Sequence, residues 1–367
     1  MARKREHYDN IFAETDKDKF LVNAINSQSD FASTSNPYVG NKRKILVDIV
    51  MTVYENLRYD EINYVCDLFA GSSVVGSFFK KLGKTVYSNE LLKSSYMNGV
   101  ALQNSDGSEI TPNAWEFMLN NKNKNADKFV EAKYAGKRFT QKEAEFIDNY
   151  YANAEELYGK TDGGKYCILQ STIMQFIMSH CFVGGRLNSG QVIASLDHRL
   201  QHQRNNNCEM NFSKMKPFAF NCGGPQSYFS NSDVFDFLKK GFDKNPDLIY
   251  IDPPYGGQQS DYASMYQFFE EYLARTNFDN ISYLKGTSDK FSKSKTYKDS
   301  FAEVLIALPK ESCWMISYND SSWADIDIIV DMLRKHKTIV TVKEIKYSYK
   351  HRSSENVSGF EYLIIGQ

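Results

Sequence analysis

In this 367-residue chain, Asp252-Pro253-Pro254-Tyr255 is the segment whose residue types most directly specify chemistry. It follows the apolar run Leu248-Ile249-Tyr250-Ile251, which reads as a strand covered on both faces. Two prolines cannot continue a central strand, so the chain must leave the sheet there, at its carboxyl end. In an open α/β sheet that end is where ligands bind. The Asp252 carboxylate and the Pro253 carbonyl are both acceptors, and Pro254 brings no competing N–H. An exocyclic amine on a planar ring can donate one hydrogen to each acceptor while Tyr255 stacks on the ring.

A second set is Asp67-Leu68-Phe69-Ala70-Gly71-Ser72-Ser73-Val74-Val75-Gly76. A dinucleotide fingerprint needs G-x-G-x-x-G, and Ser73 occupies the central glycine position. That glycine lets backbone approach a pyrophosphate, so its absence argues against NAD or FAD. The turn still suits a nucleoside-containing ligand without phosphate. Glu90, nineteen residues after Gly71, stands where an acid binds ribose hydroxyls.

These residues need a sheet to position them. Tyr64–Phe69 reads as a strand, the apolar spacing from Val74 to Leu82 as a helix stopped by Gly83, and 85–87 as the next strand, a βαβ unit. From about 226 the pattern resumes, with strands expected at 248–251, 314–317, 339–342 and 362–365 and a helix at 326–333. The expected fold is a mostly parallel, doubly wound α/β sheet. Residues 101–225 break that alternation, with amphipathic helices near 141–158 and 165–180 and then a polar stretch. Arg186, Arg199, Arg204, Lys214 and Lys216 there outnumber Asp197 and Glu209, and Arg, Asn, Gln and His are the side chains that read base edges. Residues 285–300, with five lysines among Ser and Thr, read as a mobile loop.

Composition sets the bounds. Charged residues at 24% and hydrophobics at 42% allow a buried core and exclude global disorder. The net charge of −1 excludes a histone-like polycation but not a local basic cleft. No apolar run approaches 18 residues, so no membrane span is expected. The six cysteines form no C-x-x-C, which suits reduced thiols in a cytoplasmic protein and no metal site.

Taken in order, Asn36-Pro37-Tyr38-Val39-Gly40-Asn41-Lys42, then DLFAGSSVVG, then DPPY resembles the α-group of amino DNA methyltransferases, the N6-adenine enzymes related to the DNA adenine methylase. The likeness extends to Arg352 ahead of Glu361-Tyr362-Leu363-Ile364. It implies a Rossmann-like methyltransferase sheet with an inserted target-recognition domain. On that reading 1–100 is the cofactor-binding half, 101–225 the target-recognition insertion and 226–367 the catalytic half. It implies S-adenosylmethionine as cofactor, held by Tyr38, Lys42, Asp67, Phe69, Gly71, Glu90 and Asp233, with Asp236 as the neighbouring alternative to Asp233. It implies catalysis by Asp252, Pro253, Pro254 and Tyr255 on an adenine flipped out of double-stranded DNA, and DNA contacts from Arg186, Arg199, Arg204 and Lys214. A cognate restriction endonuclease is an expected accessory partner, and the chain is expected as a monomer or weak dimer. Two departures stand out: the turn reads Gly-Ser-Ser where relatives usually have Gly-Ser-Gly, and Asn41 replaces a commonly small residue. The competing readings are an RNA-adenine or cytosine-N4 methyltransferase, and a DNA-binding module that has lost catalysis. Cytosine enzymes of this type more often carry Ser in place of Asp252.

Overall fold

The computed structural model describes residues 15–31, 38–104, 110–159, 163–182, 191–202, 209–220, 222–254, 261–285, 289–292, 294–319, 324–350 and 356–367. Seven strands form one sheet: β1 (Tyr64–Asp67), β2 (Thr85–Glu90), β3 (Ser227–Asn231), β4 (Leu248–Ile251), β5 (Cys313–Asn319), β6 (Val340–Lys350) and β7 (Asn356–Gly366). Their order is β3-β2-β1-β4-β5-β7-β6. The first five are mutually parallel, whereas β7 runs antiparallel to β5 and pairs along its length with β6. Parallel register brings the carboxyl ends of β1, β2, β3 and β4 to one edge. Asp67 stands opposite Ser88 and Tyr250, and Glu90 opposite Asn231. The reversed β7 brings Glu361, midway along it, to that edge, opposite Asn319.

Both faces of the sheet are covered, which explains the continuous apolar runs. Successive strand residues alternate between two cores. Val65, Leu248, Tyr250, Met315 and Leu363 pack with the helices Asp16–Phe31, Leu46–Asn56 and Val74–Lys81. Cys66, Ile249, Ile251, Trp314 and Ile364 face the other way, against Tyr297, Phe301, Val304, Leu305, Ile329 and Leu333. The expected loop at 285–300 is therefore corrected: 289–292 and 294–307 are helical. Tyr297 and Phe301 are fully buried there, and apolar burial outweighs the lysine-rich composition.

A third core belongs to the inserted region. It joins the helices Lys93–Asn104, Phe129–Tyr134, Gln141–Tyr158 and Gly164–Cys181 to Phe268, Phe269 and Tyr272 of the helix Gln267–Ala274. Residues on either side of the insertion thus contribute to its interior. Thr140 and Glu143 form a reciprocal capping box at the start of Gln141–Tyr158. The same Glu143 carboxylate accepts from the two terminal Arg199 guanidinium nitrogens, at 2.6 and 2.9 Å, and from the Met210 N–H at 2.6 Å. Arg199 is only 3% exposed. The expectation that it contacts DNA is corrected: its charge is spent inside the protein, neutralising a buried acid. Lys214 is exposed, and Arg186 and Arg204 lie outside the described residues.

Removing one partner of a buried ion pair strands the other. Arg199→Met should lower the unfolding free energy by about 3–5 kcal/mol, measured by urea denaturation. A variant as stable as the parent would return Arg199 to the surface.

Candidate active site

The turn after β1 is held from two sides. Leu68 N–H donates to the Tyr250 carbonyl and Ala70 N–H to that of Asn89. Glu90 then ties the turn to β2, one oxygen accepting from Gly71 N–H at 2.6 Å and the other from Leu92 N–H at 2.9 Å. Asp67 accepts from Gly76 N–H at 2.9 Å, fixing the start of the following helix. Gly71 has φ +50°, and a Cβ there would meet the Tyr38 ring at 3.2 Å. Ser73 caps the helix in the left-handed region, φ 59° and ψ 14°, a conformation that normally favours glycine. Its hydroxyl is buried with no hydrogen-bond partner. It sits against Gly99, where a Cβ would lie 2.4 Å from Ser73 Oγ and 2.5 Å from a Phe229 ring carbon.

Acids converge on this edge. Burial pushes the Asp67 carboxyl up to about 7; the Gly76 N–H works against that shift, and the charges of Asp252 and Glu90 add to it. Burial likewise raises Glu90 to about 7 against the N–H groups of Leu92 and Gly71, with Glu270 adding to the rise. Lys42 crosses the edge: its ammonium lies 3.3 Å from Asp252 Oδ1 and 2.7 Å from Glu361 Oε1. Burial works against that charge, and the two carboxylates more than offset it, holding the lysine above its ordinary pKa. Ser317 donates its hydroxyl to Glu361. Asp252 and Pro253 directly follow β4, with Pro253 buried and Asp252 partly open.

Aromatic rings roof the turn. Tyr38 stacks on Tyr266 at 5.0 Å and on Tyr262 at 5.7 Å. Val39 N–H donates to the Tyr266 hydroxyl at 3.0 Å, so the N-terminal segment is clamped to the helices that follow residue 260. On the other side Phe69 meets Phe291 edge-on, and Phe235 stacks on Phe291. Asp233 caps the helix Val234–Lys240, accepting from Phe235 N–H at 2.9 Å. It is partly buried, whereas Asp236 is exposed.

Tyr38, Lys42, Asp67, Phe69, Gly71, Glu90, Asp233, Asp252, Pro253 and Pro254 thus lie along or beside one sheet edge, and Tyr255 lies outside the described residues. Sequence reasoning assigned no role to Glu361 or Phe235. Phe268, Phe269 and Tyr272 are core, while Tyr262 and Tyr266 also clamp the N-terminal segment. For Glu361 the signal was an acid heading the apolar run Tyr362–Ile365.

The donor set fits a cationic nucleoside. A carboxylate at each of two strand ends suits hydroxyls and positive charge, and the neighbouring rings suit a base. The pinched, serine-bearing turn offers no glycine-lined bay for a pyrophosphate. Comparison with known proteins agrees. A family described as D12 class N6 adenine-specific DNA methyltransferase matches residues 38–305. The type II methyltransferase M2.HphI of Haemophilus parahaemolyticus is 25% identical over 333 residues, covering 87% of this chain and 93% of that protein. The modification methylase StsI of Streptococcus sanguinis is 24% identical over 353 residues, 88% of this chain but 49% of its own length.

The two raised carboxyls make stability depend on pH. In the folded protein Asp67 and Glu90 keep protons up to about 7, whereas an unfolded chain releases them near about 4. Stability is therefore greatest below the unfolded value and falls as pH rises through the folded one. The melting temperature of cofactor-free protein should drop between about pH 5.5 and about pH 8. Asp67→Asn, whose amide oxygen can still accept from Gly76, should show a shallower drop. Equal slopes for parent and variant would contradict the assignment.

Proposed function

The chain belongs to the D12 class of N6 adenine-specific DNA methyltransferases, and from that premise we propose that its sheet edge holds S-adenosylmethionine beside an adenine drawn out of double-stranded DNA. Residues 1–100 and 226–367 build the cofactor and catalytic halves, and 101–225 form most of the recognition lobe. The observation that carries this reading is Asp252, placed at the end of β4 by the Lys42 ammonium and facing the acid-lined turn.

On this reading Glu90 receives the ribose hydroxyls, Asp67 and the Gly71 turn face the methionine portion, and Asp233 with Phe69 lies toward the cofactor's base. Asp233 is preferred to Asp236 because it is the less exposed of the two and caps the helix beside the Phe235–Phe291 stack. When bound, S-adenosylmethionine supplies a methyl group made electrophilic by its sulfonium.

The adenine amine is a poor nucleophile because its lone pair is delocalised into the ring. Asp252 and the Pro253 carbonyl each accept one of its hydrogens, which favours a tetrahedral nitrogen and localises the lone pair. Lys42 and Glu361 keep the Asp252 carboxylate oriented, so the acceptors are set before the base arrives. Extruding the base costs a few kcal/mol. Tyr255 recovers part of that by stacking, about 1–3 kcal/mol. Pro254 stiffens the corner between them. The two relatives are named as a type II methyltransferase and a modification methylase. A modification role alongside a cognate restriction endonuclease is the biological setting we infer for this chain.

Asp252→Ala removes one acceptor but leaves Lys42 paired with Glu361, so the fold should survive. Transfer of labelled methyl groups to duplex DNA should fall at least about 100-fold, with cofactor binding by calorimetry retained. Undiminished N6-methyladenine in nucleoside digests would exclude this mechanism.

A further inference from the structure

A cavity of about 380 Å³ opens in the recognition lobe, away from the cofactor edge, lined by Lys133, Lys137, Arg138, Gln191, Ser195 and Gln267 among others. Three of these side chains are cationic, and among the described residues no acid lines it. Their partners are unequal. Lys133 is matched by Glu271 at 2.5 Å. Arg138, partly buried, donates to two neutral oxygens: the Ile193 carbonyl at 2.5 Å and Gln191 Oε1 at 2.8 Å. Lys137 is exposed. Among the described residues no carboxylate pairs with Arg138 or Lys137. A half-desolvated guanidinium facing only neutral acceptors lacks a counter-charge, and an anion entering the cavity supplies one.

The surroundings say which anion. Gln191 directly follows 183–190, the segment that carries Arg186. Phe182 and Ile193 pair antiparallel, and the Ile193 carbonyl is the one that accepts from Arg138. Val192 N–H donates to the Met265 carbonyl at 3.0 Å, and Gln191 donates to Gln267 at 2.9 Å. Met265 and Gln267 lie just after 255–260, which begins with Tyr255. The cavity wall thus includes Gln191 and Gln267, which follow 183–190 and 255–260 in the sequence. An amide relay fixes its wall: Arg138 to Gln191, Gln191 to Gln267, Gln267 to Glu271, which also accepts from Tyr134.

We propose that this cavity seats a backbone phosphate of the DNA duplex next to the extruded base, bound by Arg138 and Lys137. The proposal rests on the DNA-methyltransferase reading and adds a contact for the sugar-phosphate backbone. Phosphate contacts set register without reading sequence, and the relay would pass that register to both the recognition segment and the catalytic corner.

The test is duplex binding by fluorescence anisotropy between 50 and 200 mM salt, roughly the range over which phosphate contacts are read, with a non-reactive cofactor analogue present. Lys137→Gln removes an exposed charge and should leave melting unchanged. Arg138→Gln carries the larger effect, with its fold checked by circular dichroism. Each lost phosphate contact should reduce the log–log salt slope by about 0.9 and weaken binding roughly five- to tenfold at 0.1 M salt, equally on cognate and unrelated duplexes. Unchanged slope and affinity in both variants would overturn the proposal. So would a loss confined to one sequence at constant slope, which is the signature of base readout. A parent protein that fails to bind or methylate duplex DNA would instead sink the underlying reading, so the two failures are distinguishable.

Discussion

One buried ammonium holds the catalytic edge together. Lys42 reaches the edge from the N-terminal segment and meets Asp252 after β4 and Glu361 on the antiparallel β7. Without that cation the edge would carry Asp67, Glu90, Asp252 and Glu361 in close company, and like charges in a poorly solvated site repel strongly. Burial, more than their neighbours' charges, raises the Asp67 and Glu90 carboxyls to about 7. A cation arriving beside them favours their ionised form, and a sulfonium- and ammonium-bearing cofactor is such a cation.

The reversed β7 now has a reason beyond sheet closure. Glu361, midway along β7, is the residue at which its antiparallel pairing with β5 begins, opposite Asn319 at the end of β5. Ser317 on β5 donates to the same carboxylate, so the acid that orients Lys42 is itself held by the sheet. The aromatic clamp of Tyr38 with Tyr262 and Tyr266 links the same N-terminal segment to the chain after 260. The turn after β1, Lys42 and the end of β4 are therefore one mechanical unit.

Much of this was legible in the sequence, because it is written locally. Asp252-Pro253-Pro254, the turn after β1 and the terminal acid of β2 are short-range patterns, and in the structure each follows or ends the strand that its apolar run announces. The misread parts depend on partners far away in the chain. Arg199 looked like surface charge because counting charges carries no information about burial, and its partner Glu143 is 56 positions earlier. The open cationic cavity arises from Lys133, Lys137 and Arg138, ahead of the stretch whose composition drew attention. In 285–300 the lysines and serines masked the start of a helix whose apolar members Tyr297, Phe301, Val304 and Leu305 recur at helical spacing and are all buried. The full length of the β6–β7 hairpin was also hidden, since only its apolar ends, 339–342 and 362–365, announce a strand.

The serine at position 73 has an outcome for how this lineage can drift. A left-handed conformation usually belongs to glycine, yet here a hydroxymethyl group occupies it and presses on Gly99 in the helix Lys93–Asn104. Glycine inside a helix costs about 0.5–1 kcal/mol relative to alanine, so exchange to alanine at 99 would ordinarily be welcome. Ser73 Oγ and the Phe229 ring both bar that exchange. Reverting 73 to glycine lifts the first obstacle and leaves the second. Position 99 can gain a methyl only if both neighbouring side chains shift, a constraint set in part by one side chain in the turn.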